Sequence, residues 1–260
     1  VGAHFFTDVL GGITVSYLGV KLTKLFLDRR FPNITSKKTN LVFKNKFNLY
    51  LVVFLFLAIF LSVGSSVDIY LSSLFYFGNN QFLLQSYYYI TIFVRKIILP
   101  CIVIYVFILP LFSFYLPINN LYLKYKFKFR DILFLWIIGI FNLGVVVNLF
   151  FKNIWGRARP GDILQLGGTE NFTPWFQISD ACANNCSFVS GDAAVGFSLI
   201  ALYFLTKRIV YFWSSLFFGF SIGLIRIMEG GHFVSDVVMA AMIIYLSYYF
   251  QMKYYFYKYD

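Results

Sequence analysis

Three short segments hold most of the residues whose types and spacing suit chemistry. Lys152-Asn-Ile-Trp-Gly-Arg-Ala-Arg159-Pro160 gathers cations, and Cys186-Ser-Phe-Val-Ser190-Gly191-Asp192 leads into an apolar run. Arg226-Ile-Met-Glu-Gly-Gly-His232-Phe-Val-Ser-Asp236 joins two further apolar runs. Lys152, Arg159 and Arg226 supply positive charge for one phosphate, and the planar arginine forks suit bidentate contact with its oxygens. Ser190 and Gly191 open a predicted helix, whose free backbone N–H groups favour an anion. His232 and Asp236 are spaced i, i+4 and so share a helix face. A carboxylate behind an imidazole orients the ring and stabilises its cation, which makes the other nitrogen a nucleophile or base. Each signal has an ordinary reading as well: a structural His–Asp hydrogen bond, cations snorkelling to headgroups, or a Ser-capped helix start. Their convergence on one face of the chain is what argues for chemistry.

The elements that position these residues are membrane spans. Apolar residues make up 60% of the 260 positions and charged residues 13%, against roughly one-quarter charged in soluble domains. Apolar runs at 8–27, 47–67, 97–117, 131–150, 192–206, 209–226 and 233–252 predict an all-α integral membrane protein. Pro100, Pro110 and Pro117 predict a kink or break in the third run. Sixteen of the 22 lysines and arginines fall in the connectors 21–46 and 124–130, at 207–208 and beyond 252, which places that side in the cytoplasm. The other side keeps Arg95, Lys96, Lys152, Arg157, Arg159 and Arg226, and four of these six sit in the segments above. Basic residues retained against the topology rule point to function. The net charge of +11 is therefore distributed between spans rather than forming one basic face, which excludes a nucleic-acid partner. Cys101 lies in an apolar run and reads as a buried small hydrophobe. Cys182 and Cys186 share an exterior loop where a disulfide can persist, and two cysteines alone do not make a metal site.

Taken together, the segments resemble the type 2 phosphatidic acid phosphatase (PAP2) family, whose motifs are K-x6-R-P, P-S-G-H and S-R-x5-H-x3-D. Lys152, Arg159 and Pro160 match the first motif. Arg226, His232 and Asp236 match the third with its spacing intact, with Ile225 in place of the serine. In the second, Val189 replaces the proline and Asp192 the histidine. The resemblance covers about residues 45–255. It implies a six-helix transmembrane bundle, here with one extra N-terminal span, in a multi-pass protein of a bacterial inner membrane whose site faces the exterior. It implies a metal-independent hydrolysis with no cofactor: His232 attacks phosphorus, Asp236 holds it, and Lys152, Arg159 and Arg226, with Ser190 and Gly191, bind the phosphoryl oxygens. The string around Asn185–Ala193 is similar to bacterial lipid A phosphatases of the 4′ type, so a lipid A-type substrate is favoured. Undecaprenyl diphosphate, phosphatidylglycerol phosphate, or silent binding of a lipid phosphate are the alternatives.

Asp192 stands where the family's proton donor stands, and two readings are open. If neighbouring cations keep it ionised, the substrate needs a good leaving group; if burial dominates, it remains a general acid. At the N-terminus, Gly-Ala-His4-Phe-Phe-Thr-Asp8 repeats Gly-Gly-His232-Phe-Val-Ser-Asp236. Residues 1–35 are thus expected to be the last span of a truncated second copy, with no catalysis at His4 or Asp8, and 36–260 the complete domain.

Overall fold

The computed structural model describes residues 65–112 and 127–259, and among them no strand forms. Six helices build the described chain: α1 Ser65–Ser73, α2 Tyr88–Phe112, α3 Phe129–Ile154, α4 Gly191–Thr206, α5 Ile209–Met228 and α6 Val234–Tyr259. By length and composition α2, α3, α5 and the Val234–Tyr255 part of α6 can cross a membrane, while α4 is shorter. The expected span 8–27, residues 47–64 of the next, the division at residue 35, and Pro117 lie outside the described residues.

Two expectations change. The span placed at 97–117 begins earlier, at Tyr88, because Arg95 and Lys96 lie inside α2 rather than at its mouth. Its two described prolines, Pro100 and Pro110, do not break it. Pro100 and Pro110 each follow a widened π-type turn, Val94–Ile98 and Ile104–Ile108, which relieves the i−4 contact that a proline ring would otherwise make. Cys101 is exposed on α2 instead of buried.

Small residues set the packing. A Cβ on Gly196 would stand 2.8 Å from the Gly219 backbone, and one on Gly219 would overlap the Phe197 ring, so α4 and α5 meet almost backbone to backbone. Such approach is the usual substitute for a hydrophobic driving force between spans. Ser215 Oγ then donates to the Phe197 carbonyl at 2.8 Å across the same seam. Between α3 and α6, the Asn142 amide donates to Gln251 at 2.8 Å and accepts from Ser247 Oγ at 2.5 Å, so these buried polar groups satisfy one another. Arg130 at the start of α3 donates to Tyr255 near the end of α6. With Lys207 and Arg208 joining α4 to α5, this end of the bundle is basic. The opposite end gathers the end of α3, the starts of α4 and α6, and the last turn of α5.

Candidate active site

At that opposite end, Asp236 in the first turn of α6 is completely buried, and both of its carboxylate oxygens meet donors. Oδ1 takes Arg157 Nη1 at 2.6 Å, and Oδ2 takes Ser187 Oγ at 2.5 Å and the Phe233 N–H at 2.8 Å. Arg157 is itself fully buried, with Nη2 on Asp68 of α1 at 2.8 Å, Nη1 also on Ser235 Oγ at 2.8 Å and Nε on the Thr173 carbonyl at 2.8 Å. Its guanidinium lies 4.2 Å from the Phe233 ring centre, a stacked contact that strengthens when desolvated. Asp68 closes the network by accepting the Ser235 N–H at 3.0 Å and the Ser235 hydroxyl. Two buried carboxylates thus share one buried guanidinium.

His232 lies just before α6 and is 1% exposed. Its Nδ1 is 2.6 Å from the Ser187 carbonyl and 3.8 Å from Asp236 Oδ2. The direct His–Asp hydrogen bond expected from the i, i+4 spacing is therefore replaced by a contact to backbone, because Arg157, Ser187 and Phe233 already occupy the carboxylate. A carbonyl only accepts, so Nδ1 carries the proton and Nε2 the lone pair. Burial pushes the His232 pKa below the ordinary imidazole value, against the opposing pull of Asp236. This favours the neutral ring.

The cations converge on the same end. Lys152 in the last turn of α3 donates to Asn185 Oδ1 at 3.0 Å, and Arg159 Nη2 donates to the Asn185 carbonyl at 2.7 Å. Asn185 lies inside the ring closed by the Cys182–Cys186 disulfide. Lys152 also rests against the start of α4, where a Cβ on Gly191 would be 3.3 Å from Nζ. Ser190 is the N-cap of α4, its side chain accepting from the Ala193 N–H, and it is fully buried. Arg226 reaches across Gly231, where a Cβ would stand 2.6 Å from Nη2, and it lines a cavity of about 320 Å³ together with Arg159, Asp162 and Glu229. Burial, and then Arg226 beside it, weaken Arg159's hold on its proton, the effect of desolvation and of a neighbouring like charge. Asp192 pairs with Arg226 Nε at 3.2 Å and more loosely with Arg95 Nε at 3.6 Å, and Glu229 pairs with Arg226 Nη1.

The structure therefore gathers all eight sequence-predicted residues at one end of the bundle. Sequence reasoning counted Arg157 among the exterior cations without giving it a role, and it assigned no site role to Asp68 or Ser187. The one available signal was an arginine two residues from Arg159 in a segment expected to disfavour positive charge. Among the described residues, no three His, Cys, Asp or Glu side chains group to hold a metal ion.

Residues 132–260 match the family described as the PAP2 superfamily, a segment that includes all three motifs. The chain is 43% identical over 133 residues to the lipid A 4′-phosphatase of Francisella tularensis subsp. novicida (strain U112), covering 48% of this chain and 58% of that protein. It is 36% identical over 98 residues to the lipid A 4′-phosphatase of Rhizobium leguminosarum, covering 36% of this chain and 42% of that protein. The chain spans about half the length of the curated relatives it matches. No solved structure matches.

Proposed function

From the match of residues 132–260 to the PAP2 superfamily we propose that the chain hydrolyses the phosphate of a membrane lipid, with a lipid A-type substrate favoured. The observation that carries this is the fixed tautomer of His232. With Nδ1–H committed to the Ser187 carbonyl, the lone pair is on Nε2, the nitrogen available to the reacting phosphorus. Nε2 attacks phosphorus, the bond from phosphorus to the lipid oxygen breaks, and that oxygen takes a proton from solvent water and leaves as the lipid alcohol. Water then attacks the phosphohistidine, the P–N bond breaks, and inorganic phosphate departs with His232 restored. Lys152, Arg159 and Arg226, with the N-terminal amides of α4 at Ser190 and Gly191, hold the phosphoryl oxygens where negative charge develops. They supply the electrostatic stabilisation that a metal ion provides in other phosphatases. The lipid A preference rests on the names of the relatives and on the Asn185–Ala193 segment. Undecaprenyl diphosphate and phosphatidylglycerol phosphate satisfy the same chemistry. The pairing of Asp192 and Glu229 with Arg226 favours a second reading, a lipid-phosphate binder without turnover.

The test is release of phosphate from lipid A, undecaprenyl diphosphate and phosphatidylglycerol phosphate by the protein in detergent with a chelator present. Turnover with a phosphohistidine trapped by alkaline quench is expected, and His232→Ala is expected to lose about 10³-fold or more in kcat. Binding of a lipid phosphate without release, in the unaltered chain, establishes the second reading instead.

A further inference from the structure

The buried network behind His232 has a composition that its structural role does not require. One guanidinium and two carboxylates leave an ionised network one negative charge in excess, walled off from water. A single carboxylate suffices to neutralise Arg157, and burying a further charge is costly unless something repays it. Attack by His232 converts a neutral ring that already holds Nδ1–H into a positively charged phospho-imidazolium. The excess negative charge is placed to meet that cation.

We propose that Asp68, acting through Arg157 and Asp236, is a positioning residue that sets the charge under His232 and stabilises the cationic phospho-imidazolium. Asp68 binds no substrate oxygen. It holds Arg157 at Nη2 while Asp236 holds Nη1, and it accepts from the backbone N–H and the hydroxyl of Ser235, whose oxygen in turn accepts from Arg157 Nη1. Asp236 transmits the effect through Ser187, whose hydroxyl donates to the carboxylate while its carbonyl accepts from the ring. The other charged groups bearing on His232 are Lys152 at the end of α3, Arg226 of α5 and Asp236 itself, with Asp192 of α4 paired to Arg226. The cations among them oppose a charged ring, so removal of one carboxylate from the network is felt directly.

The assignment rests on His232 as nucleophile, and the experiment separates the two. Steady-state kcat and KM are measured against pH for the full chain and for His232→Ala, Asp68→Asn and Asp68→Glu, with melting temperatures alongside. His232→Ala that still turns over removes the nucleophile reading by itself. With that reading intact, Asp68→Asn is expected to lower kcat about tenfold or more with KM unchanged or lower. The acid limb of kcat/KM should move to lower pH, because a ring with less negative charge beneath it holds a proton less tightly. Asp68→Glu is expected to return both towards the starting values. An unmoved acid limb, or a loss that appears wholly as raised KM, overturns the proposal. If Asp68→Asn does not fold, Ser235→Ala keeps both charges and removes only the bridging hydroxyl. It should lower kcat several-fold with the limb in place, and a shifted limb there overturns the charge assignment.

Discussion

Asp192 stands where the sequence motif leads one to expect a proton donor, yet its carboxylate faces guanidinium groups, Arg226 at 3.2 Å and Arg95 at 3.6 Å. That is the geometry of a counter-charge. We expect Asp192→Asn to leave kcat on a sugar phosphate monoester within about threefold, since a working general acid contributes roughly 10²–10⁴-fold. KM should fall, because Arg226 gains freedom to bind the substrate. A loss of 100-fold or more on the monoester, with a diphosphate spared, makes Asp192 the donor instead. Motif spacing alone makes the cations and the His–Asp pair legible. It does not reveal that Asp236 is saturated by Arg157, Ser187 and Phe233, so that backbone orients the ring. A hydrogen bond to a carbonyl leaves no trace in residue identity, because every residue offers one.

At the scale of elements, the seam between α4 and α5 aligns Ser190, Gly191 and Asp192 with Arg226. Gly196 and Gly219 let these helices touch along their backbones, and neither backbone can yield to a new side chain. Gly196→Ala is therefore expected to destabilise the protein by about 1–3 kcal/mol and to lower turnover by displacing the start of α4 from Lys152. Thermal unfolding in detergent checks the first effect and kinetics the second; an unchanged melting temperature shows that the seam opens without cost. Hydropathy located α3, α5 and the Val234–Tyr255 part of α6 to within a few residues. It missed the true start of α2 because Arg95 and Lys96 look like a span boundary. A cation within a helix is tolerated where it meets a carboxylate, and the partner of Arg95, Asp192, is about a hundred residues away in sequence.

At the scale of the whole molecule, the basic end carrying Arg130, Lys207 and Arg208 is opposite the end that carries His232. By the charge rule we propose that the basic end faces the cytoplasm; on that reading a substrate added outside is hydrolysed by right-side-out vesicles and spared by sealed inverted ones until detergent opens them. Equal rates in both, before detergent, contradict that orientation. Asp68 gives this architecture a further meaning. The family segment begins at residue 132, yet a carboxylate from α1, more than sixty positions earlier, completes the ion network inside it. Taken alone, residues 132–260 would carry a buried arginine with one of its two counter-ions missing. The recognisable portion of this chain is therefore not a self-sufficient module. Transplanting the three motifs into another scaffold would carry over the reacting groups and leave behind the charge that supports them.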